Sequence, residues 1–261
     1  MSTWNLEQAY DAYPRIEEEF QEALDVSLQP RGPDMLYGLV EAFELPHGAT
    51  AVDVGCGEGK HVVGLTERFG FAVTGVDPLQ RHIDIASEFT GATYAVGTAE
   101  SIPLDAASVE LVWCRDVLCH VADLTTAYAE FQRVLKPGGR ALIYQMYGTD
   151  LLETREAEFL WSTMGVVPSS AVPANTEAAI AAAGLTLDER FVIGTEWGEF
   201  TEERTGKAGQ QLLRASRLLR SPEVYLERYG RDAYDMMLGD CLWGIYAMIG
   251  KLSRRVYILS R

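Results

Sequence analysis

The chain of 261 residues has only four cysteines and four histidines, and neither type recurs at the short intervals of a metal-ligand set. Cys56, Cys114, Cys119 and Cys241 therefore read as reduced thiols, which excludes a disulfide-stapled secreted scaffold and leaves no structural metal to expect. No apolar run approaches the ~18 residues of a membrane span. The opening Met1-Ser2-Thr3-Trp4-Asn5-Leu6-Glu7 is polar and acidic, with no basic segment leading into an apolar one, so a cytoplasmic location without membrane attachment is expected. Positive charge is scarce as well: 22 Lys and Arg stand against 38 Asp and Glu, a net charge of −16. A protein that binds DNA or RNA gathers cations to neutralise phosphates, so this balance argues against a nucleic-acid partner. The one basic cluster, Lys207 to Arg220 with Arg214 and Arg217, reads as a solvated helix face. The 48% of hydrophobic residues can fill the core of one large domain.

The most informative stretch present is Ala51-Val52-Asp53-Val54-Gly55-Cys56-Gly57-Glu58-Gly59-Lys60-His61. A short apolar run carrying an acid breaks into three alternate glycines before a helical pattern begins, which reads as strand, tight loop and helix. The glycines let the backbone turn sharply and approach a ligand closely, and the helix start offers unpaired N–H groups. A second strand-like run, Phe71 to Val76, ends in Asp77, 22 residues beyond Gly55. A carboxylate at the tip of the second strand of an open α/β sheet can take the hydroxyls of an adenosine ribose. The plainer alternative is a turn residue ahead of Pro78. Two cofactors fit such a site, NAD(P) and S-adenosylmethionine. The nicotinamide fingerprint is spaced G-x-G-x-x-G, whereas this chain has G-x-G-x-G with Asp53 two residues ahead of it, a departure that favours the second.

Val52 to Gly59 resembles the first motif of the Rossmann-like S-adenosylmethionine-dependent methyltransferases of small-molecule type, and Gly75-Val76-Asp77 resembles their ribose-binding segment. Gly97-Thr98-Ala99-Glu100-Ser101-Ile102-Pro103-Leu104 is similar to the family's adenine-side loop. Val109 to Cys114, continuing to His120, is similar to its fourth strand and the loop after it, and Arg133 to Gly139 to the turn before its fifth strand. The resemblance spans roughly residues 50–145. It implies an α/β fold with a doubly wound, seven-stranded, mostly parallel sheet, and S-adenosylmethionine as the cofactor. It also implies roles: Asp53, Gly55, Cys56 and Gly57 beside the methionine moiety, Asp77 with Pro78 at the ribose, Thr98, Ala99 and Glu100 along the adenine, and Cys114 and Arg115 at the rim facing the cofactor's amino acid. Many relatives carry an acid where Thr98 stands, so the adenine amino contact is expected to pass to Glu100 or to the Ala99 backbone. Cys56 reads as packing and not as a nucleophile, since its charged neighbour Glu58 would raise its pKa.

One domain in four parts is expected: an N-terminal helical cap (1–46), a cofactor-binding core (47–200), a C-terminal helical insertion (201–251) and a last strand (252–261). In the cap, residues 15–28 and 34–45 read as helices parted by Gln29-Pro30-Arg31-Gly32-Pro33, whose prolines interrupt helical hydrogen bonding. Strands then alternate with helices, as in a parallel doubly wound sheet. Helix 124–135 takes Asp123 as its N-cap, and helix 176–183 takes Asn175 as its N-cap and Gly184 as its stop. Residues 191–194 and 255–259 look like the final antiparallel pair, which a hairpin normally joins, yet about sixty residues separate them. Those residues are helical in pattern: 203–219, then a helix opened by Ser221-Pro222-Glu223 and closed at Gly230, then 232–249 with a broad apolar face. That face reads as added core, as a lid, or as the contact of a homodimer.

Methyl transfer from a sulfonium needs an in-line nucleophile near ~3–3.5 Å from the methyl carbon, so positioning can supply most of the catalysis. A base is needed only if the nucleophile arrives protonated. The loop after the fourth strand offers Asp116, suited to a cationic or amine centre, and His120, with the near-neutral pKa of a general base. The plainer roles are an ion pair with Arg115 for Asp116 and a bond to a backbone carbonyl for His120. Tyr10, Tyr13, Tyr147 and Trp197 are candidate pocket walls, because aromatic faces tolerate a sulfonium and exclude water. Arg31 is a candidate partner for the cofactor carboxylate. Three activities fit: methylation of O, N or C of a small metabolite, a cyclisation or other displacement on the same cofactor, and a non-catalytic cofactor- or partner-binding module.

Overall fold

A computed structural model describes residues 5–261. Residues 1–4, which open the segment read above for a leader, lie outside them. In chain order the elements are α1 (Leu6–Leu24), α2 (Met35–Glu41), β1 (Thr50–Val54), α3 (Lys60–Phe69), β2 (Ala72–Asp77), α4 (Gln80–Ala86), β3 (Thr93–Val96) and β4 (Val109–Arg115). They continue as α5 (Leu124–Val134), β5 (Leu135–Gly148), α6 (Thr154–Met164), α7 (Pro173–Ala182), β6 (Thr186–Gly194), α8 (Glu196–Thr205), α9 (Lys207–Arg220), α10 (Pro222–Tyr229), α11 (Arg231–Met248) and β7 (Leu252–Ser260). The seven strands form one sheet in the order β3-β2-β1-β4-β5-β7-β6. All neighbours run parallel except β7, which is antiparallel to both β5 and β6. This is the doubly wound architecture that the strand–helix alternation implies.

Successive residues of a strand face opposite sides of the sheet, and here each side has its own core. Val52, Val54, Val112, Cys114, Ala141 and Ile143 pack with Tyr128 and Phe131 of α5 and Ile180 of α7. Ala51, Leu111, Trp113, Leu142 and Tyr144 pack with Leu36 and Val40 of α2 and Val62 and Leu65 of α3. Near-continuous apolar runs in β1 and β4 are what a strand buried on both faces requires.

Several boundaries differ from the sequence reading. The first helix begins nine residues early, because Asn5 and Gln8 form a reciprocal capping box, with Gln8 N–H to Asn5 Oδ1 at 2.9 Å and Asn5 N–H to Gln8 Oε1 at 3.1 Å. Pro14 lies inside that helix and forfeits one backbone bond without ending it. The helix expected at 176–183 starts at Pro173, in the N1 position proline favours, and Asn175 is no cap: its Nδ2 donates to the Ser169 carbonyl at 2.8 Å. The segment read as one helix over 203–219 is two, divided at Gly206, whose φ of 63° ends α8 in a left-handed turn.

Among the described residues no helix is long and apolar enough to cross a membrane. The apolar face of α11 turns inward. Tyr234, Leu238 and Cys241 pack with Ala215 and Leu218 of α9 and with Phe159 of α6, while Met237 stays 47% exposed against 7% for Leu238. Leu238→Ala should therefore cost about 2–5 kcal/mol in urea unfolding, whereas Met237→Ser should cost within about 0.5 kcal/mol. Equal costs would mean that α11 is not packed in this orientation.

Candidate active site at the carboxyl ends of the strands

The loops leaving β1, β2, β3 and β4 all emerge at the carboxyl edge of the sheet, where the strand order reverses between β1 and β4. An open α/β sheet places its ligand at such a switch point. A cavity of about 480 Å³ sits there, lined by Gly55, Gly57, Asp77, Pro78, Thr98, Ala99, Glu100, Asp116 and His120 among others. These residues are separated by up to 65 positions in the chain, and the fold brings all of them to one cavity.

The glycine loop owes its path to two positions that differ in kind. Gly55 has φ +75°, and a Cβ there would lie 2.1 Å from Val117 Cγ2, so neither backbone nor space admits a side chain. Gly57 has φ +52° with nothing within 4 Å of a Cβ, which faces open space. Asp77 secures the loop: Oδ2 accepts from the Gly57 N–H at 3.0 Å, and Oδ1 accepts from the Leu79 N–H at 3.0 Å and from His82 Nδ1 at 3.0 Å. His82, five residues on at the first turn of α4, also lines the cavity and was missed by the sequence reading.

Asp53, next to last in β1 and, like Arg115, behind the residues that line the cavity, is 2% exposed, and its Oδ2 has no hydrogen-bond partner. Burial pushes its pKa up to about 8, against the pull of the Arg115 guanidinium and with a further push from Asp77. Arg115 is fixed from the other side. Its Nη1 donates to His61 Nε2 at 2.7 Å, and His61 Nδ1 meets the Tyr37 hydroxyl at 2.8 Å. A guanidinium cannot accept, so His61 must be neutral with its proton on Nδ1. Burial, aided by Arg115 and Lys60, lowers its pKa to about 4, which agrees. Nothing in the sequence spacing announces the Tyr37–His61–Arg115 chain, since it joins three elements.

Asp116 holds a left-handed backbone, φ 57°, rare for a residue with a side chain, and its N–H donates to the Tyr144 carbonyl at 3.0 Å. Its side chain is 48% accessible and lines the cavity, above a backbone packed into the protein. Desolvation there pushes its pKa up to about 6, against Arg115, Arg254 and His120. The ion pair with Arg115 is long, 3.8 Å. His120 Nδ1 donates to the Gly165 carbonyl at 2.8 Å, the plainer role, and this leaves Nε2 as an acceptor on a residue of the cavity wall.

The remaining candidates lie elsewhere. Cys114 and Cys56 are buried side chains outside the cavity lining: Cys114 falls on the α5 face by strand alternation, and Cys56 packs on Gly75 with its thiol pushed up to about 12 by burial, then by Asp53 and Asp77. Tyr147 is core, fully buried in the α5–α7 layer with its hydroxyl donating to Thr176 Oγ1 at 2.9 Å. Tyr10 and Tyr13 are 74% and 62% exposed on α1, a helix with no buried residue, and lie outside the cavity described above. Arg31 is paired with Glu196, Nε to Oε2 at 2.7 Å and Nη2 to Oε1, which occupies the fork meant for a cofactor carboxylate. Trp197 stacks on Tyr144 at 4.7 Å and lines a different, smaller cavity.

Glycines that only a ligand-hugging loop needs, a buried carboxyl oxygen without a partner and an acid at the tip of β2 suit the amino-acid and ribose ends of S-adenosylmethionine. The fold is that of the Rossmann-like, doubly wound sheets, with its loops gathered at the switch point. Residues 52–143 match the family model of the methyltransferase domain, and that segment belongs to the family. Over 99 residues the chain is 35% identical to the 2-methyl-6-phytyl-1,4-hydroquinone methyltransferase of Synechocystis, a match covering 36% of this chain and 31% of that protein. The chain thus spans less than a third of that relative's length. Two solved structures share the fold: a phosphoethanolamine N-methyltransferase of Haemonchus contortus (TM-score 0.67, 21% identity, 90% of this chain and 54% of that one) and the [4+2]-cyclase SpnF (TM-score 0.67, 18% identity, 87% and 80%).

The two glycines should respond differently to alanine. Gly55→Ala should destabilise the fold by about 2–4 kcal/mol through left-handed strain and overpacking on Val117. Gly57→Ala should cost about 1–2 kcal/mol yet weaken S-adenosylhomocysteine binding more than tenfold, since its methyl enters the space a ligand would use. Thermal melts and calorimetry check both, and undiminished binding by Gly57→Ala would remove the loop from the site.

Proposed function

We propose that the chain transfers the methyl group of S-adenosylmethionine to an oxygen, nitrogen or carbon of a small organic acceptor. The observation that carries this reading is the partnerless Oδ2 of Asp53, buried beside the glycine loop where an ammonium would complete it. When bound, the cofactor supplies an electrophilic methyl on a sulfonium. Asp53 receives its amino group, and Arg115, steadied by neutral His61, receives its carboxylate. Asp77 has about four acceptor sites, of which three are filled by Gly57, Leu79 and His82, leaving one for a ribose hydroxyl. The Thr98–Ser101 turn borders the adenine, with Glu100 and the Ala99 backbone in place of the missing acid. A net charge of −16 supports a small molecule over a nucleic acid, and the four free, buried thiols support a cytoplasmic setting.

Asp116 takes the proton of an acceptor that arrives protonated, and His120 Nε2 is the second base within the same wall. A carboxyl with a pKa near 6 is ionised at neutral pH and still basic enough to accept a proton as the nucleophile forms its bond. Acidification protonates it, so kcat/KM should fall as pH drops through about 6, and Asp116→Asn should lose that limb while binding cofactor within a few-fold of the parent. A pH–rate profile unchanged by Asp116→Asn would mark the residue as structural.

Asp77→Ala should weaken cofactor binding tenfold or more, because it removes a ribose acceptor and frees the loop at Gly57. Calorimetry reads this directly. Turnover with a panel of small acceptors should yield S-adenosylhomocysteine; methylthioadenosine in its place would mean that the cofactor's own chain is the group attacked.

A further inference from the structure

A second cavity, about 190 Å³, lies between α8, α9, α11 and β7, lined by Trp197, Thr201, Gln211, Trp243, Met248 and Arg254. It shares no lining residue with the cofactor cavity. Two of its residues carry buried donors that nothing in the protein satisfies, Arg254 Nη1 and Trp197 Nε1. A buried donor without an acceptor costs about 1–3 kcal/mol, more when charged, so two at one small cavity point to an acceptor that arrives from outside. Its neighbour Arg255 pairs with Glu177 at 3.6 Å, whereas Arg254 has the Tyr144 hydroxyl and the Trp197 ring beside it. Among the described residues no carboxylate lies within ion-pair distance of Arg254. The register of the β6–β7 pair shifts between Val192 and Gly194, where Gly194 faces Arg254, and such an irregularity re-aims a strand's side chains.

Resting on the methyltransferase reading, we propose that this cavity holds the carboxylate of the methyl acceptor, with Arg254 and the Trp197 N–H as its donors and the Trp197 and Trp243 rings beside its body. The charges favour a monoanion. Lys207 and Arg254 supply two positive charges to the lining and Asp240 one negative, a balance of one that suits a carboxylate and not a phosphate dianion. Side-chain contacts lead from this cavity toward the cofactor cavity. The guanidinium of Arg254 lies 5.9 Å from the Trp197 ring centroid, Trp197 stacks on Tyr144, and Arg254 acts electrostatically on Asp116, which faces the cofactor cavity. A volume of this size admits the carboxylate and one ring, so the atom to be methylated lies on a part of the acceptor that extends out of this cavity toward Asp116.

Titrating benzoate and its uncharged isostere benzamide into the protein saturated with S-adenosylhomocysteine tests this. Benzoate should bind one to one and benzamide about tenfold or more weaker, a comparison on the unaltered protein that needs no variant to fold. Arg254→Met should weaken benzoate about tenfold or more, Arg254→Lys should recover part of the loss, and both should bind S-adenosylhomocysteine within about twofold of the parent. Equal binding of the two probes, no saturable benzoate binding, or an Arg254→Met variant that binds benzoate as the parent does would overturn the assignment. Failure of S-adenosylhomocysteine itself to bind would instead overturn the methyltransferase reading, and benzoate titrated into the cofactor-free protein would then decide the anion site alone.

Discussion

A carboxyl group buried at the centre of the sheet, with one oxygen left unpaired, is the constraint around which the site is arranged. Asp53 is next to last in the strand that lies between β2 and β4 and is only 2% exposed. Placing a carboxylate there without compensation is costly, and the protein accepts a proton on it instead, with a pKa near 8. Arg115 offsets part of that cost, and the neutral imidazole of His61 keeps Arg115 in place without adding a second positive charge. The site is thus poised for a cation it does not itself contain.

Strand alternation sorts the remaining residues. On β4, Cys114 faces α5 while Trp113 faces the other layer, where Tyr37 stacks on it at 5.2 Å. On β5, Tyr144 packs in the layer of α2 and α3 and Tyr147, three residues on, falls into the opposite core. Beyond the sheet, the helices between β6 and β7 fill their own apolar seam and enclose the small cavity at Arg254. The insertion therefore extends the core and builds a second wall at the same time.

The sheet and the loops at its carboxyl edge were legible because their signals are local. A glycine turn with an acid two residues ahead, an acid at the tip of the next strand, and apolar runs of strand length need only neighbours to be read. What was not legible depends on contacts between distant segments. Tyr10, Tyr13, Tyr147 and Arg31 carry suitable chemistry, but whether an aromatic ring walls a pocket or fills a core depends on strand register, and whether an arginine is free depends on a glutamate 165 residues away. His61 and His82 were overlooked for the same reason, since each meets its partner on another element. Arg254 was overlooked because the cavity beside it is built from helices distant in the chain. Gly206 shows the limit within a local signal: a single glycine in a helical pattern is tolerated or terminal, and only the backbone angle tells which.

The measurement that bears most directly on this account is the proton balance of cofactor binding. If Asp53 is protonated in the free protein and ionises against the incoming ammonium, calorimetry of S-adenosylmethionine binding in buffers of different ionisation enthalpy should show release of about one proton at pH 7. The release should shrink as pH rises above about 8 and vanish in Asp53→Asn. A binding enthalpy independent of the buffer at pH 7, or the same proton release from Asp53→Asn, would contradict it.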